Sequence, residues 1–185
     1  LRRRDRLVGM DLPPAPTIFW HRRDLRMVDN VGLRRAAESG DVLPLYVIDP
    51  ALLSLAGEKR RAVFSAALEE LQSTYRERGS DLLVRHGDPT DIVPEIAAET
   101  EAEMVVWNQD HSRYARERDM AVLEQLEDAG VSAVETADLT LHEPGSILTS
   151  NGESYSVFSY YYTKWSDRDA LDPELPPDSE RFATF

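Results

Sequence analysis

Five short apolar runs separated by stretches of helical periodicity constrain this chain more than any other feature. The runs are residues 17–20, 42–48, 82–86, 104–107 and 131–136. Between them lie an amphipathic stretch over 31–38 and a longer one over 58–78, with Ala62, Ala66, Leu68, Leu71 and Tyr75 at helical spacing and a stop at Gly79. Gly87-Asp88-Pro89 opens a third helix whose inner face is Ile92, Val93, Ile96 and Ala97, and a charged helix over 113–129 is closed by Gly130. Runs this short and this apolar suit strands covered on both faces, and their alternation with helices predicts a parallel sheet. Pro44, inside the second run, is tolerable near a strand start. Right-handed crossovers then select the order 3-2-1-4-5, so the expected fold class is α/β, a Rossmann-like doubly wound five-stranded parallel sheet flanked by helices.

In that order the chain reverses across the sheet between its first and fourth strands, and ligands of open α/β sheets bind beside such a switch point. The loops leaving those two strands, starting at His21 and at Asn108, are also the most polar strand ends. The first of them, residues 20–30, packs three arginines and two aspartates around Leu25 and Met27 before Asn30. Arg23, Asp24, Arg26 and Asp29 can form a structural ion-pair network while Asn30 caps the first helix. Alternatively they line a crevice whose one carboxylate, Asp110, can accept a hydrogen bond from a ring N–H or hydroxyl, while arginines pair with acidic groups or stack on a ring face. A flat heteroaromatic ligand fits that chemistry. No glycine-rich phosphate loop follows the first strand, which argues against nicotinamide dinucleotides, and no serine or cysteine occupies a nucleophile elbow.

Composition narrows the setting. Cysteine is absent, so disulfides and thiolate metal sites are excluded. His21, His86, His111 and His142 show no paired ligand spacing, and no metal site is expected. Acidic residues number 34 against 21 basic ones, for a net charge of −13, and only Lys59 and Lys164 are lysines. That balance suits a halophilic, salt-rich cytoplasm and disfavours direct binding to DNA phosphates. Without an 18-residue apolar stretch or a signal peptide, the chain is read as cytoplasmic, with no membrane partner.

Residues 1–14 read as a disordered or non-native arm, with a natural start at Met10, and 15–137 as the α/β domain. Residues 138–165 contain a hairpin signal at Asn151-Gly152, between Ile147-Leu148 and 155–157. An aromatic segment overlaps it, with Tyr155, Phe158, Tyr160, Tyr161, Tyr162 and Trp165. These rings can cap the sheet edge or present a face for another domain to cover. From 166 to 185 the prolines read as the start of an interdomain linker.

Trp20-His-Arg-Arg-Asp-Leu-Arg26 with Asp29-Asn30, Gly87-Asp88-Pro89, Trp107-Asn-Gln-Asp110 with Arg118-Asp119, and Tyr155-Ser-Val-Phe158 with Trp165 occur in the order found in one family. From about residue 17 to residue 165 the chain resembles the amino-terminal domain of the DNA photolyase and cryptochrome family. The resemblance implies an antenna-chromophore-binding domain that passes excitation to reduced FAD in a separate helical domain. That partner domain carries the light-driven repair of cyclobutane pyrimidine dimers in DNA, so damaged DNA would be met only through it and repair activity is not expected of these residues alone. His21 and the Asn-Gln-Asp after Trp107 are similar to members using 8-hydroxy-5-deazaflavin rather than methenyltetrahydrofolate as antenna. By the same resemblance Asp110 would bind the deazaflavin ring, Arg60 and Arg118 would line its pocket, and Tyr46, Val47 and Asn108 would wall it. Two departures stand out: Arg113 where the family usually has proline before a tyrosine, and Ser159-Tyr160-Tyr161 where Thr-Pro-Phe is common. A cryptochrome-type blue-light signalling fragment is the alternative. A universal-stress or electron-transfer-flavoprotein-like nucleotide-binding domain is a weaker one, because it lacks a phosphate loop here.

Overall fold

β1 (Thr17–His21) is buried along its whole length and the sheet is assembled around it. The computed structural model describes residues 14–169 and 172–184; the arm expected over residues 1–14 lies, apart from Pro14, outside the described residues. After β1 come α1 (Val31–Ser39), β2 (Val42–Ile48), α2 (Pro50–Leu55), α3 (Glu58–Glu77), β3 (Leu83–His86), α4 (Pro89–Glu99), β4 (Met104–Asn108), α5 (Arg113–Asp128), β5 (Ser132–Thr136) and α6 (Phe158–Ser166). All strand pairs are parallel and the order is β3-β2-β1-β4-β5. The Rossmann-like topology expected from the alternation is the one observed.

Alternate residues of the strands feed two cores. Ile18, Trp20, Leu45, Val105 and Trp107 face α4 and α5, meeting Val93, Ile96, Val122 and Leu126. Phe19, Val42 and Val106 face α1 and α3, meeting Leu33, Ala36, Leu71 and Tyr75. Pro94 sits inside α4, where a proline leaves the carbonyl of Thr90 without its helical donor; Gln125 of α5 donates to that oxygen at 2.9 Å.

Three features depart from the sequence reading. The segment after Ile48 is a short helix, α2, which Asp49 caps by accepting from the Ala51 N–H at 2.8 Å, with Pro50 at its first position. At Asn151-Gly152 the chain does turn, with the Thr149 N–H donating to Glu153 O at 2.8 Å, but no strand pair flanks it. Five of the six aromatics, all but Tyr155, instead lie on α6, where Phe158, Tyr162 and Trp165 recur at helical spacing and stack, with centroids 5.9 and 6.0 Å apart. Finally, the segment read as linker packs against the domain over its last described residues. β3 pairs with β2 only from Leu45 onward, leaving the edge of β2 open at Val42. Phe182 bridges to Val42, the Ala183 N–H donates to Val42 O at 2.8 Å, and the Phe182 ring meets Tyr75 edge-on at 5.3 Å.

Candidate functional site

At the carboxyl ends of β1, β2 and β4 lies a cavity of about 470 Å³, within the size range of small-molecule sites. Trp20 and His21 end β1 beneath it, Tyr46 and Val47 come from β2, Leu52 and Leu55 from α2, Phe64 from α3, and Asp110 and Arg118 from the β4–α5 side. The crossover after β2 runs to one side of β1 and β4 lies on the other, so the cavity straddles the switch point. Apolar side chains make much of its wall, with Leu52 and Leu55 otherwise 45% and 78% exposed.

The floor is an arginine–tryptophan stack. Arg22 and Arg118 place their guanidinium carbons 5.2 and 4.9 Å from the Trp20 ring centroid. Both pair with the buried carboxylate of Asp119, Arg118 through two contacts of 2.9 and 2.7 Å on one oxygen. Burial pulls the Arg22 guanidinium below its usual range against the opposing pull of Asp119. The floor thus presents two guanidiniums to the cavity, both tied to Asp119.

Asp110 sits on the rim. Partial burial acts to raise its carboxyl, but the Ser112 N–H at 3.0 Å, Arg23 at 3.6 Å and Arg22 outweigh it and hold the group below the ordinary carboxylate range. It is an anion at neutral pH and can accept from a ring N–H. Tyr46 is the opposite case: burial pushes its phenol up to about 12, leaving a neutral hydroxyl at the cavity wall. Tyr114 is likewise pushed up to about 12, by desolvation and by the hydrogen bond it donates to the cavity-lining Asp49. His21 is fully buried and desolvation lowers its pKa, keeping the ring neutral between Tyr75 Oη at 2.7 Å and Asp24 O at 3.2 Å.

Of the six residues expected at a pocket, Asp110, Arg60, Arg118, Tyr46 and Val47 line this one cavity. Asn108 does not. Its side chain turns inward, where Oδ1 accepts from the Gly32 N–H at 2.9 Å and from Thr136 Oγ1 at 2.7 Å. Its Nδ2 donates to Asp24 and, at 2.9 Å, to Asn30 Oδ1. The reason is that Asn108 is the last residue of a central strand, under α1 rather than under the loop. Asn30 caps α1 as expected, accepting from Leu33 N at 3.0 Å. The ion pairs of the first loop, however, reach outward to Asp119, Asp138 and Asp110 rather than closing within it. Among the residues missed by sequence reasoning are the leucines of α2, Phe64 and Arg61. Asp49-Pro50, a helix-start signal directly after a strand, is the cue that could have placed them.

Among the described residues no three His, Asp or Glu side chains gather as a metal site, and no helix is long and apolar enough to cross a membrane.

Comparison with known proteins agrees with this architecture. The family model for DNA photolyase matches residues 17–179. A deoxyribodipyrimidine photo-lyase of Halobacterium salinarum is 41% identical over 171 residues, covering 87% of this chain and 36% of that protein. One from Synechococcus is 41% identical over 166 residues, covering 88% and 34%. The crystal structure of a class III photolyase from Agrobacterium tumefaciens superposes with a TM-score of 0.81 at 30% identity, covering 92% of this chain and 36% of that one. An archaeal photolyase from Sulfolobus tokodaii, solved with two FAD molecules and described as implying a novel light-harvesting cofactor, gives a TM-score of 0.81 at 25% identity, covering 92% and 38%. The chain thus spans about a third of the length of the relatives it matches. With the switch-point cavity, the five-stranded order and the matched span in agreement, this chain belongs to the DNA photolyase family, whose amino-terminal α/β domain it contains.

Proposed function

We propose that the cavity between β1, β2 and β4 holds a flat antenna chromophore, best matched by 8-hydroxy-5-deazaflavin, and that the whole protein is a deoxyribodipyrimidine photolyase. The observation that carries this reading is the make-up of the cavity: apolar walls from α2 and Phe64, a guanidinium floor, and the ionised carboxylate of Asp110 on the rim, the other lining carboxylate, Asp49, being engaged by Tyr114 and the Ala51 N–H. Apolar walls exclude water from a ring. Asp110 accepts from the ring edge and Arg118 with Arg22 favours an ionised ring hydroxyl. Methenyltetrahydrofolate is the second candidate for the same seat, and the FAD-containing relative from Sulfolobus supports flavin-like pigments as a class.

In this reading the pigment supplies absorption and the residues bind, orient and desolvate it. FAD, the splitting of pyrimidine dimers and contact with damaged DNA belong to a helical domain of the parent protein. Residues 138–165 support a docking face for that domain: Phe158, Tyr160 and Tyr162 of α6 are 74%, 66% and 52% exposed. A cytoplasmic, salt-rich setting accords with the charge of −13 and with the Halobacterium relative. Blue-light signalling is the second reading of the parent protein, supported by 32% identity over 139 residues to Cryptochrome-2 of Gallus gallus.

Titration of the 185-residue chain with 8-hydroxy-5-deazaflavin is expected to red-shift the visible band as the ionised ring enters the cavity. Asp110→Ala should weaken binding about tenfold, the loss of one charge-assisted hydrogen bond. An unshifted spectrum with both proteins would remove the antenna assignment and leave the family and the fold.

A further inference from the structure

The cavity's arginines are not equivalent. Arg22 and Arg118 are held by Asp119, and Arg23 lies 3.6 Å from Asp110. Arg60 and Arg61, neighbours in the first turn of α3, also line the cavity, yet among the described residues neither side chain makes an ion pair or a hydrogen bond. Glu58 stands three residues before Arg61 on the same helix and does not engage it. Lys59 and Arg116 are likewise without a side-chain partner among the described residues, but neither lines the cavity. From residue 50 to residue 68 the balance inverts, with Glu58 facing Lys59, Arg60 and Arg61. Two adjacent unpaired arginines beside Phe64 and the α2 leucines are a local positive field at the edge of an apolar cavity.

We infer that Arg60 and Arg61 bind an anionic side chain of the pigment, so that the cavity selects a flat chromophore esterified with phosphate over its unphosphorylated parent. This rests on the chromophore reading above and adds to it the chemical class of the tail. Arg60 and Arg61 reach the cavity from the β2–α3 side and Asp110 from the β4–α5 side. A ligand spanning the cleft therefore meets a hydrogen-bond acceptor at one wall and two planar cationic donors at the other. A ring with a phosphate-bearing chain satisfies both, since guanidinium forks match phosphate oxygens in geometry and charge.

The test compares 8-hydroxy-5-deazariboflavin with its 5′-phosphate by absorbance and fluorescence titration, using the 185-residue chain and the Arg60→Ala/Arg61→Ala double variant. Both arginines are exposed, so the double variant should keep the parent's circular dichroism and unfolding midpoint. The expected result is that the phosphate ester binds about tenfold tighter than the parent ring. That preference, read as the ratio of the two affinities, should shrink as salt is raised and fall to about one in the double variant. Equal affinity for both ligands overturns the inference and leaves the ring site standing. A preference that survives in the double variant overturns it too, because the phosphate is then held elsewhere. Failure of both ligands to bind overturns the chromophore reading and this inference with it.

Discussion

Asn108 shows how much one buried amide can organise. Its four described side-chain contacts join α1, the first loop and β5 to the end of β4. They require Gly32, because a Cβ there would stand 2.5 Å from Asn108 Oδ1 and 2.8 Å from Phe19. Asn108→Leu keeps the volume but leaves Asp24, the Gly32 N–H and the Thr136 hydroxyl short of partners. Urea unfolding should register a loss of about 3 kcal/mol or more, whereas a residue walling the cavity would mainly change ligand affinity. The motif carrying Asn108 was visible in the sequence, but the direction of its side chain was not. Strand periodicity indicates that neighbours alternate, yet which of Asn108 and Gln109 faces α1 depends on where the strand ends against its partner. Asp110 was legible for the opposite reason: a carboxylate just beyond a strand end has few places to go but the rim.

At the level of elements, α/β alternation identified every strand and the helices that cover them, because a buried parallel strand needs a continuous apolar run and its crossover needs a helical stripe. The elements that escaped are those without a core of their own. α2 buries none of its residues and exists as a capped turn whose leucines face the cavity. α6 likewise buries none, so its aromatic period could be read as strand or helix with equal ease. The tail is decided by the short reach of β3, a length that composition does not specify. Phe182 is 4% exposed among Tyr75, Val42 and Leu71. Phe182→Ala is therefore expected to cost about 3 kcal/mol in denaturant unfolding, and a loss below about 0.5 kcal/mol would return the tail to the status of a linker.

Over the whole molecule, charge and topology act separately. A net charge of −13 repels itself at low ionic strength, and raising salt from about 0.1 M to about 1 M shortens the screening length from about 10 Å to about 3 Å. The thermal midpoint is expected to rise by several degrees over that range in scanning calorimetry; a flat or falling midpoint would remove the salt-adapted reading. Composition, strand order and the position of the switch point were all determined by the linear chain, because periodicity, crossover handedness and net charge are local or additive properties. The tertiary structure alone decided which arginines are neutralised and which are free, that Asn108 braces α1 instead of walling the cleft, and that α2 supplies the apolar wall. Those outcomes depend on pairings between groups about a hundred positions apart, 97 for Arg22 with Asp119 and 112 for Arg26 with Asp138, and such pairings form only when the sheet brings its strand ends together.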